Sequence, residues 1–324
     1  MASVPRPIEP APAGPRDVDP VTDESGPEPP VPGTPAGDAA PETRPGDPGP
    51  ESLAGAAVRL DDPDLIVAMR GVSRRFEDRV VLRDIDLTVP RGTILGIIGP
   101  SGAGKTTTIR MLLNIIAPDE GRILVFGQPN DRPGVTDTIG YLPEERGLYK
   151  KMQVRRLLRF LAELKGVSRK VADLRIDHWL ERLGLKTPDK DWGTAKVDDL
   201  SRGMQQKVQF IGTLVHEPDL VVLDEPFSGL DPINAQALKD TVVELRRSGR
   251  TVIFSTHLMD NAERLCDAVC IIARGEVVLD GPLSDVKAEH GGRHVALSIG
   301  SPNGDVSRIL GDPSLVRRVD DSNR

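Results

Sequence analysis

Aromatic residues make up only 3% of this 324-residue chain, and cysteine occurs twice. So few rings cannot build a base-stacking surface, and Lys and Arg form no stripe, so nucleic acid is not an expected partner. Cys266 and Cys270 lie four apart with no further ligand nearby. They read as free thiols of a reducing compartment rather than a redox or metal pair. His290 and His294 repeat that spacing, also lack a third ligand, and read as surface residues. No apolar run approaches the ~20 residues of a membrane helix. The longest, such as Ile94–Ile98 and Leu220–Leu223, have the length of strands. A basic start followed by an apolar stretch is also missing at the N-terminus, so no secretory signal is expected.

What is present is unevenly spread. Residues 1–64 hold 16 of the 29 prolines, 13 Asp/Glu and 4 Arg, and the first aromatic is Phe76. The segment's net charge of −9 against −7 for the whole leaves +2 on residues 65–324. A stretch this acidic and Pro-rich buries too little apolar surface to offset its ordering entropy. The expectation for 1–64 is a disordered tail, with a PxxP ligand or regulatory arm as the alternative.

From residue 65 the pattern changes and no internal repeat is visible. Ile66–Arg70 reads as a strand, and Ile85, Leu87 and Val89 alternate with polar residues as a half-buried strand does. Thr93–Ile98 is a continuous apolar strand, followed by a glycine-rich turn and a helix with Ile109, Leu112, Leu113 and Ile116 on one face. Arg122–Phe126 is another strand, and residues 152–200 read as mostly helical. A helix starts at Ser201 with Met204, Val208, Ile211 and Val215 on one stripe. Leu220–Leu223, Thr251–Ser255, Ala268–Ala273 and Val277–Leu279 are strands, and Leu238, Val242 and Leu245 mark a helix. Strands alternating with helices predict an α/β layered core with a largely parallel sheet; the early strand-rich stretch predicts a small antiparallel piece attached to it.

Two motifs carry chemistry. Gly99-Pro100-Ser101-Gly102-Ala103-Gly104-Lys105-Thr106 is a complete G-x-x-x-x-G-K-[ST] phosphate loop, followed by Thr107, in the required place between strand and helix. Its backbone N–H groups and the helix N-terminus suit an anion. Lys105 would reach the β- and γ-phosphates, and Thr106 would ligate Mg²⁺. The second motif is the apolar run Leu220–Leu223, ending in Asp224 and Glu225, 119 positions after Lys105. Carboxylates at a strand's C-terminal end lie where open α/β sheets bind ligands. Asp224 would hold Mg²⁺ through its shell, and Glu225 would orient and activate the attacking water.

With these motifs in place the chain resembles the ATP-binding cassettes of ABC transporters over residues 65–285. Leu200-Ser201-Arg202-Gly203-Met204-Gln205-Gln206 is similar to their signature loop, Ser228-Gly229-Leu230-Asp231 to their D-loop, and Ser255-Thr256-His257 to their switch histidine. Phe76 falls where the family has an aromatic stacked on adenine. Without the family, Phe76 reads as a core residue and His257 as a capping histidine.

The resemblance implies a P-loop NTPase core with an antiparallel β subdomain and an inserted helical subdomain at 152–200. It implies ATP and Mg²⁺, hydrolysis with Glu225 and His257 as catalytic residues, and Asp231 coupling two sites. It also implies pairing of two cassettes, so that Ser201, Arg202, Gly203 and Met204 complete a partner's ATP site. A membrane-spanning permease on a separate chain would place the protein peripherally on the cytoplasmic face of the membrane. Arg202 and Met204 replace the usual Gly and Gln, and Glu144 in Gly140-Tyr-Leu-Pro-Glu144 replaces a Gln. Both variants resemble the exporter branch that includes sodium-extrusion and drug-efflux systems, and they make Glu144 a candidate metal ligand. Residues 286–324 are expected to begin a C-terminal appendage and read as an incomplete one. A soluble ABC ATPase acting on ribosomes or DNA is the rival reading. Against it stand one cassette rather than two, and a spacing of only 95 positions from Thr106 to Ser201, too short for a long coiled coil.

Overall fold

A computed structural model describes residues 62–145 and 147–290. The expectations for the tail before residue 62, for His294 and for the end of the C-terminal appendage lie outside the described residues.

The chain opens with two long strands, β1 (Leu65–Phe76) and β2 (Arg79–Pro90), then β3 (Ile94–Ile98), α1 (Lys105–Leu112), β4 (Glu120–Val125) and the two-residue β5 (Gln128–Pro129). Next come β6 (Ile139–Leu142), α2 (Val154–Leu164), α3 (Arg169–Arg182) and α4 (Arg202–Leu214). The last third is β7 (Leu220–Leu223), α5 (Pro232–Arg247), β8 (Thr251–Thr256), α6 (Met259–Leu265), β9 (Ala268–Ala273), β10 (Glu276–Pro282) and α7 (Leu283–His290). α7 runs across residue 285, and the region 183–200 holds short 3₁₀ turns rather than a continuation of α3.

The strands form two sheets. The four-stranded sheet has the order β2-β1-β4-β5 and antiparallel pairing throughout. The six-stranded sheet has the order β10-β9-β3-β8-β7-β6, parallel from β9 to β6, with β10 antiparallel at one edge. The α/β class, the parallel sheet and the antiparallel piece are therefore as the sequence pattern predicts.

Burial on both faces explains why the central strands are uninterrupted apolar runs. Successive side chains point to opposite faces. In β7, Leu220 and Val222 enter one apolar core, with β1, β2 and α1, while Val221 and Leu223 enter another, with α2, α3, α4 and α5. β8 divides in the same way, Ile253 joining the first core and Val252 and Phe254 the second. In β2 only one face is buried, and Ile85, Leu87 and Val89 are its buried alternates. The sheet is thus held on two sides, which fixes the ends of β3, β7 and β8 relative to one another.

α1 is shorter than the apolar spacing implies. It stops at Leu112, Leu113 is its C-cap, and Asn114 turns into the left-handed region at φ +54, so Ile116 lies beyond the helix. Among the described residues no helix is long and apolar enough to cross a membrane.

Candidate active site

Three neighbouring parallel strands, in the order β3-β8-β7, deliver the chemistry at their C-terminal ends. β3 runs into the phosphate loop, β8 into His257, and β7 into Asp224 and Glu225. The loop begins with Gly99 N–H donating to Thr256 O across that gap (3.3 Å). α1 follows directly, with Gly104 at its N-cap and no side-chain cap, so its first N–H groups remain available to an anion.

The carboxylates are held tightly. Asp224 is 1% exposed. The buried Ser255 hydroxyl donates to Asp224 Oδ1 (2.5 Å) and accepts from Glu225 N–H (2.9 Å). Thr106 Oγ1 donates to the same Oδ1 (3.3 Å), which joins the phosphate loop to β7. Glu225 sits at φ +46, a conformation costing a non-glycine residue about 1–2 kcal/mol and held here by that Ser255 bond. His257 Nδ1 lies 3.1 and 3.0 Å from the two Glu225 oxygens. An ionised carboxylate only accepts, so a hydrogen bond here requires the tautomer with its proton on Nδ1. Lys105 Nζ donates to Gly99 O (2.9 Å) and Pro100 O (3.3 Å), and forms an ion pair with Glu225 Oε1 (3.4 Å).

Around these groups lies an open cleft of about 710 Å³. Pro100, Ser101, Gly102, Gly104, Lys105, Thr106, Thr107, Glu144, Glu225, Ser228 and His257 line it. Gly99 and Ala103 belong to the same loop behind this lining. Glu144 sits on the loop after β6, where its charge, with burial first and then Asp224, raises the Tyr141 pKa against the opposing pull of Arg110. Asp224 Oδ2 is buried without a hydrogen-bond partner among the described residues. A cation beside Thr106 would satisfy it, so these residues fit Mg²⁺. No group of three or more His, Cys, Asp or Glu among the described residues could hold a metal alone. Mg²⁺ is usually bound through one or two carboxylates together with substrate phosphates and water.

Other expected residues lie apart from this cleft. Phe76 is 41% exposed, with the Arg74 guanidinium 4.8 Å from its ring centroid, and is no core residue. It is absent from the cleft lining. His257 caps nothing, since α6 has Leu258 at its N-cap. Ser201 is the N-cap of α4 and accepts from Met204 N–H (3.3 Å). Asp231 is the N-cap of α5, accepts from Asn234 N–H (3.0 Å), and is held ionised by the Asn234 backbone and side-chain donors. A Cβ on Gly203 would fall 2.6 Å from Asn234 Nδ2. The N-termini of α4 and α5 therefore form one surface carrying Ser201, Arg202, Gly203, Met204 and Asp231. None of these five lines the cleft of their own chain.

Arg79, Val80, Val81, Arg274 and Gly275 complete the cleft wall and stand outside the motifs. Their one sequence signal is turn chemistry between predicted strands, which names no ligand. Cys266 and Cys270 are free thiols, and burial pushes both up to about 12, as inert interior cysteines require.

A glycine-rich loop leading into a helix, with a buried Asp and a Glu–His pair facing its lysine, defines a P-loop nucleotide hydrolase. The ABC transporter family model matches residues 82–228. The ABC transporter ATP-binding protein YhaQ of Bacillus subtilis is 43% identical over 226 residues, covering 70% of this chain and 74% of that protein. Nod factor export ATP-binding protein I of Cupriavidus pinatubonensis is 35% identical, covering 71% and 70%. A solved ATP-binding subunit of an ABC transporter superposes with a TM-score of 0.65 at 31% identity, over 71% of this chain and 95% of that one. The chain belongs to the ABC transporter ATP-binding family and is an ATP-hydrolysing subunit of such a transporter.

Proposed function

We propose that this subunit powers export by pairing with a second cassette on the cytoplasmic face of a permease made by another chain. The observation that carries the pairing is the separation of the Ser201–Asp231 surface from the cleft. The N-terminus of α4, capped by the neutral Ser201, presents N–H groups and partial positive charge to the outside, beside the α5 N-terminus that the Asp231 carboxylate caps. Head-to-tail pairing would bring that surface onto the γ-phosphate held by the partner's Lys105. The export direction draws on the relative whose name is a Nod factor export protein. A separate permease is in keeping with the lack of any membrane-length helix among the described residues.

In this reading ATP binds along the phosphate loop and extends beyond the cleft lining to Phe76, the family's adenine-stacking position. Thr106 and Asp224 would hold Mg²⁺, with Glu144 nearby; the ion supplies positive charge to the phosphates. Lys105 exchanges its ion pair with Glu225 for the β- and γ-phosphates. That exchange leaves Glu225 free to take a proton from the attacking water, while His257 keeps the carboxylate turned towards it. Loss of the γ-phosphate removes the bridge between the cassettes, and the permease follows that two-state motion.

Glu225→Gln tests this. It keeps the size and the Ser255 bond to the backbone but removes the proton acceptor. The expected outcome is ATP-binding intact, turnover lost, and a dimer that persists in ATP on size-exclusion chromatography. A variant that hydrolyses at the native rate would rule out Glu225 as the base.

A further inference from the structure

One wall of the cleft is a β-turn. β9 and β10 are joined by the two residues Arg274 and Gly275, between the paired Ala273 and Glu276. Both have positive φ, +54 and +83. Two-residue turns of this kind favour Asn-Gly or Asp-Gly, because a short polar side chain tolerates the left-handed region at the first position. Gly275 is required by its conformation and by space, since a Cβ there would lie 2.3 Å from Val81 O. Nothing in the turn requires an arginine before it; the local backbone disfavours one. A residue held in a disfavoured conformation at a ligand cleft points to a use for its side chain.

The mount is rigid. Gly275 N–H donates to Ala103 O of the phosphate loop (3.1 Å), and Arg83 N–H donates to Gly275 O (2.8 Å). Arg274 therefore moves with the phosphate loop. Arg274 is an exposed residue of the cleft lining and forms no ion pair among the described residues. Lys105, by contrast, is committed to Glu225 and to two carbonyls.

We propose that Arg274 is a nucleotide-binding residue whose guanidinium pairs with the phosphate chain of ATP, adding a fixed cation to that of Lys105. A planar guanidinium suits phosphate oxygens through two parallel N–H bonds. The inference rests on the cleft being the ATP site. It explains why the turn carries an arginine where its geometry favours asparagine.

Arg274→Asn separates the two roles, since asparagine suits the turn better and removes the charge. The full chain is measured for affinity towards a non-hydrolysable ATP analogue by calorimetry, and for Tm without nucleotide. The analogue should bind about tenfold more weakly, the loss expected for one charge-assisted pair. Tm should hold or rise, and Arg274→Lys should recover part of the affinity. An affinity within twofold of native overturns the inference and leaves the ATP site standing. A fall in Tm that accompanies the loss of affinity also overturns it, because the arginine would then serve the turn. If the native chain fails to bind the analogue, the reading of the cleft falls and Arg274 with it.

Discussion

Ser255 does more than its place beside the switch histidine implies. One hydroxyl, fully buried, donates to Asp224 and accepts from the Glu225 backbone. It fixes the candidate metal carboxylate and the candidate base with respect to each other. Ser255→Ala leaves the Glu225 N–H without its partner and takes a donor from Asp224. Leaving such buried groups unsatisfied costs about 1–3 kcal/mol. We expect a lower Tm and, after correction for folded fraction, a fall in kcat larger than any change in KM for ATP. Steady-state kinetics with thermal melts check this; native kcat would mean that Glu225 is held by its surroundings without Ser255. At this scale the motif residues were legible because each motif combines residue type with spacing. The role of Ser255 was not, since it depends on β8 lying between β3 and β7. Arg79, Val80, Val81 and Arg274 escaped for the same reason: strand pairing and a turn bring them to the cleft.

Among the elements, α4 links two parts of the candidate machinery. Its N-terminus carries Ser201, and two turns later Gln209 Nε2 donates to Pro143 O (3.5 Å) and Glu145 O (3.2 Å), on either side of Glu144. Gln209 is buried, and its own Oε1 has no partner among the described residues. Gln209→Leu keeps comparable volume and removes both donors together with the unsatisfied oxygen. The two stability effects oppose each other, so Tm should change little. The loop around Glu144 should exchange its amide hydrogens faster, as a segment does when its fixed contacts are removed. Hydrogen exchange on residues 144–148 measures this, and unchanged protection would show that α4 does not hold the loop. Elements were legible where burial imposes a pattern. β3, β7 and β8 stand out as apolar runs because both their faces are covered, and α5 because Leu238, Val242 and Leu245 share one buried face. β6 was not, since Gly140 and Tyr141 break the apolar run and its strand character comes from pairing with β7. The region 183–200 looked helical from composition, but it folds as turns tied to Met152 and Leu185 by backbone bonds.

At the scale of the whole molecule, the cleft and the Ser201–Asp231 surface are two halves of one site only if two chains meet. The cleft supplies the phosphate loop, Asp224, Glu225 and His257, and the α4–α5 surface supplies a second set of helix N-termini. In a two-fold pair each interface contains one half from each chain, repeated twice. This predicts complementation between two dead variants. Lys105→Ala removes the cation of its own cleft but keeps an intact Ser201 surface. Ser201→Arg keeps an intact cleft but puts bulk and positive charge at the α4 N-terminus, where it replaces the cap. Each homodimer then has two defective sites. A mixed pair has one site defective twice and one site wholly native. With random exchange of equal amounts, half the pairs are mixed and half their sites intact, so the mixture should reach about a quarter of the native rate if sites act independently. Coupling between sites would lower that figure, yet any rate well above both variants alone requires a shared site. The measurement is ATPase activity of each variant and of the mixture, after incubation long enough for exchange. A mixture no more active than the sum of its parts, with exchange verified by a labelled subunit, would mean that each cassette completes its own ATP site and that Ser201 serves α4 alone.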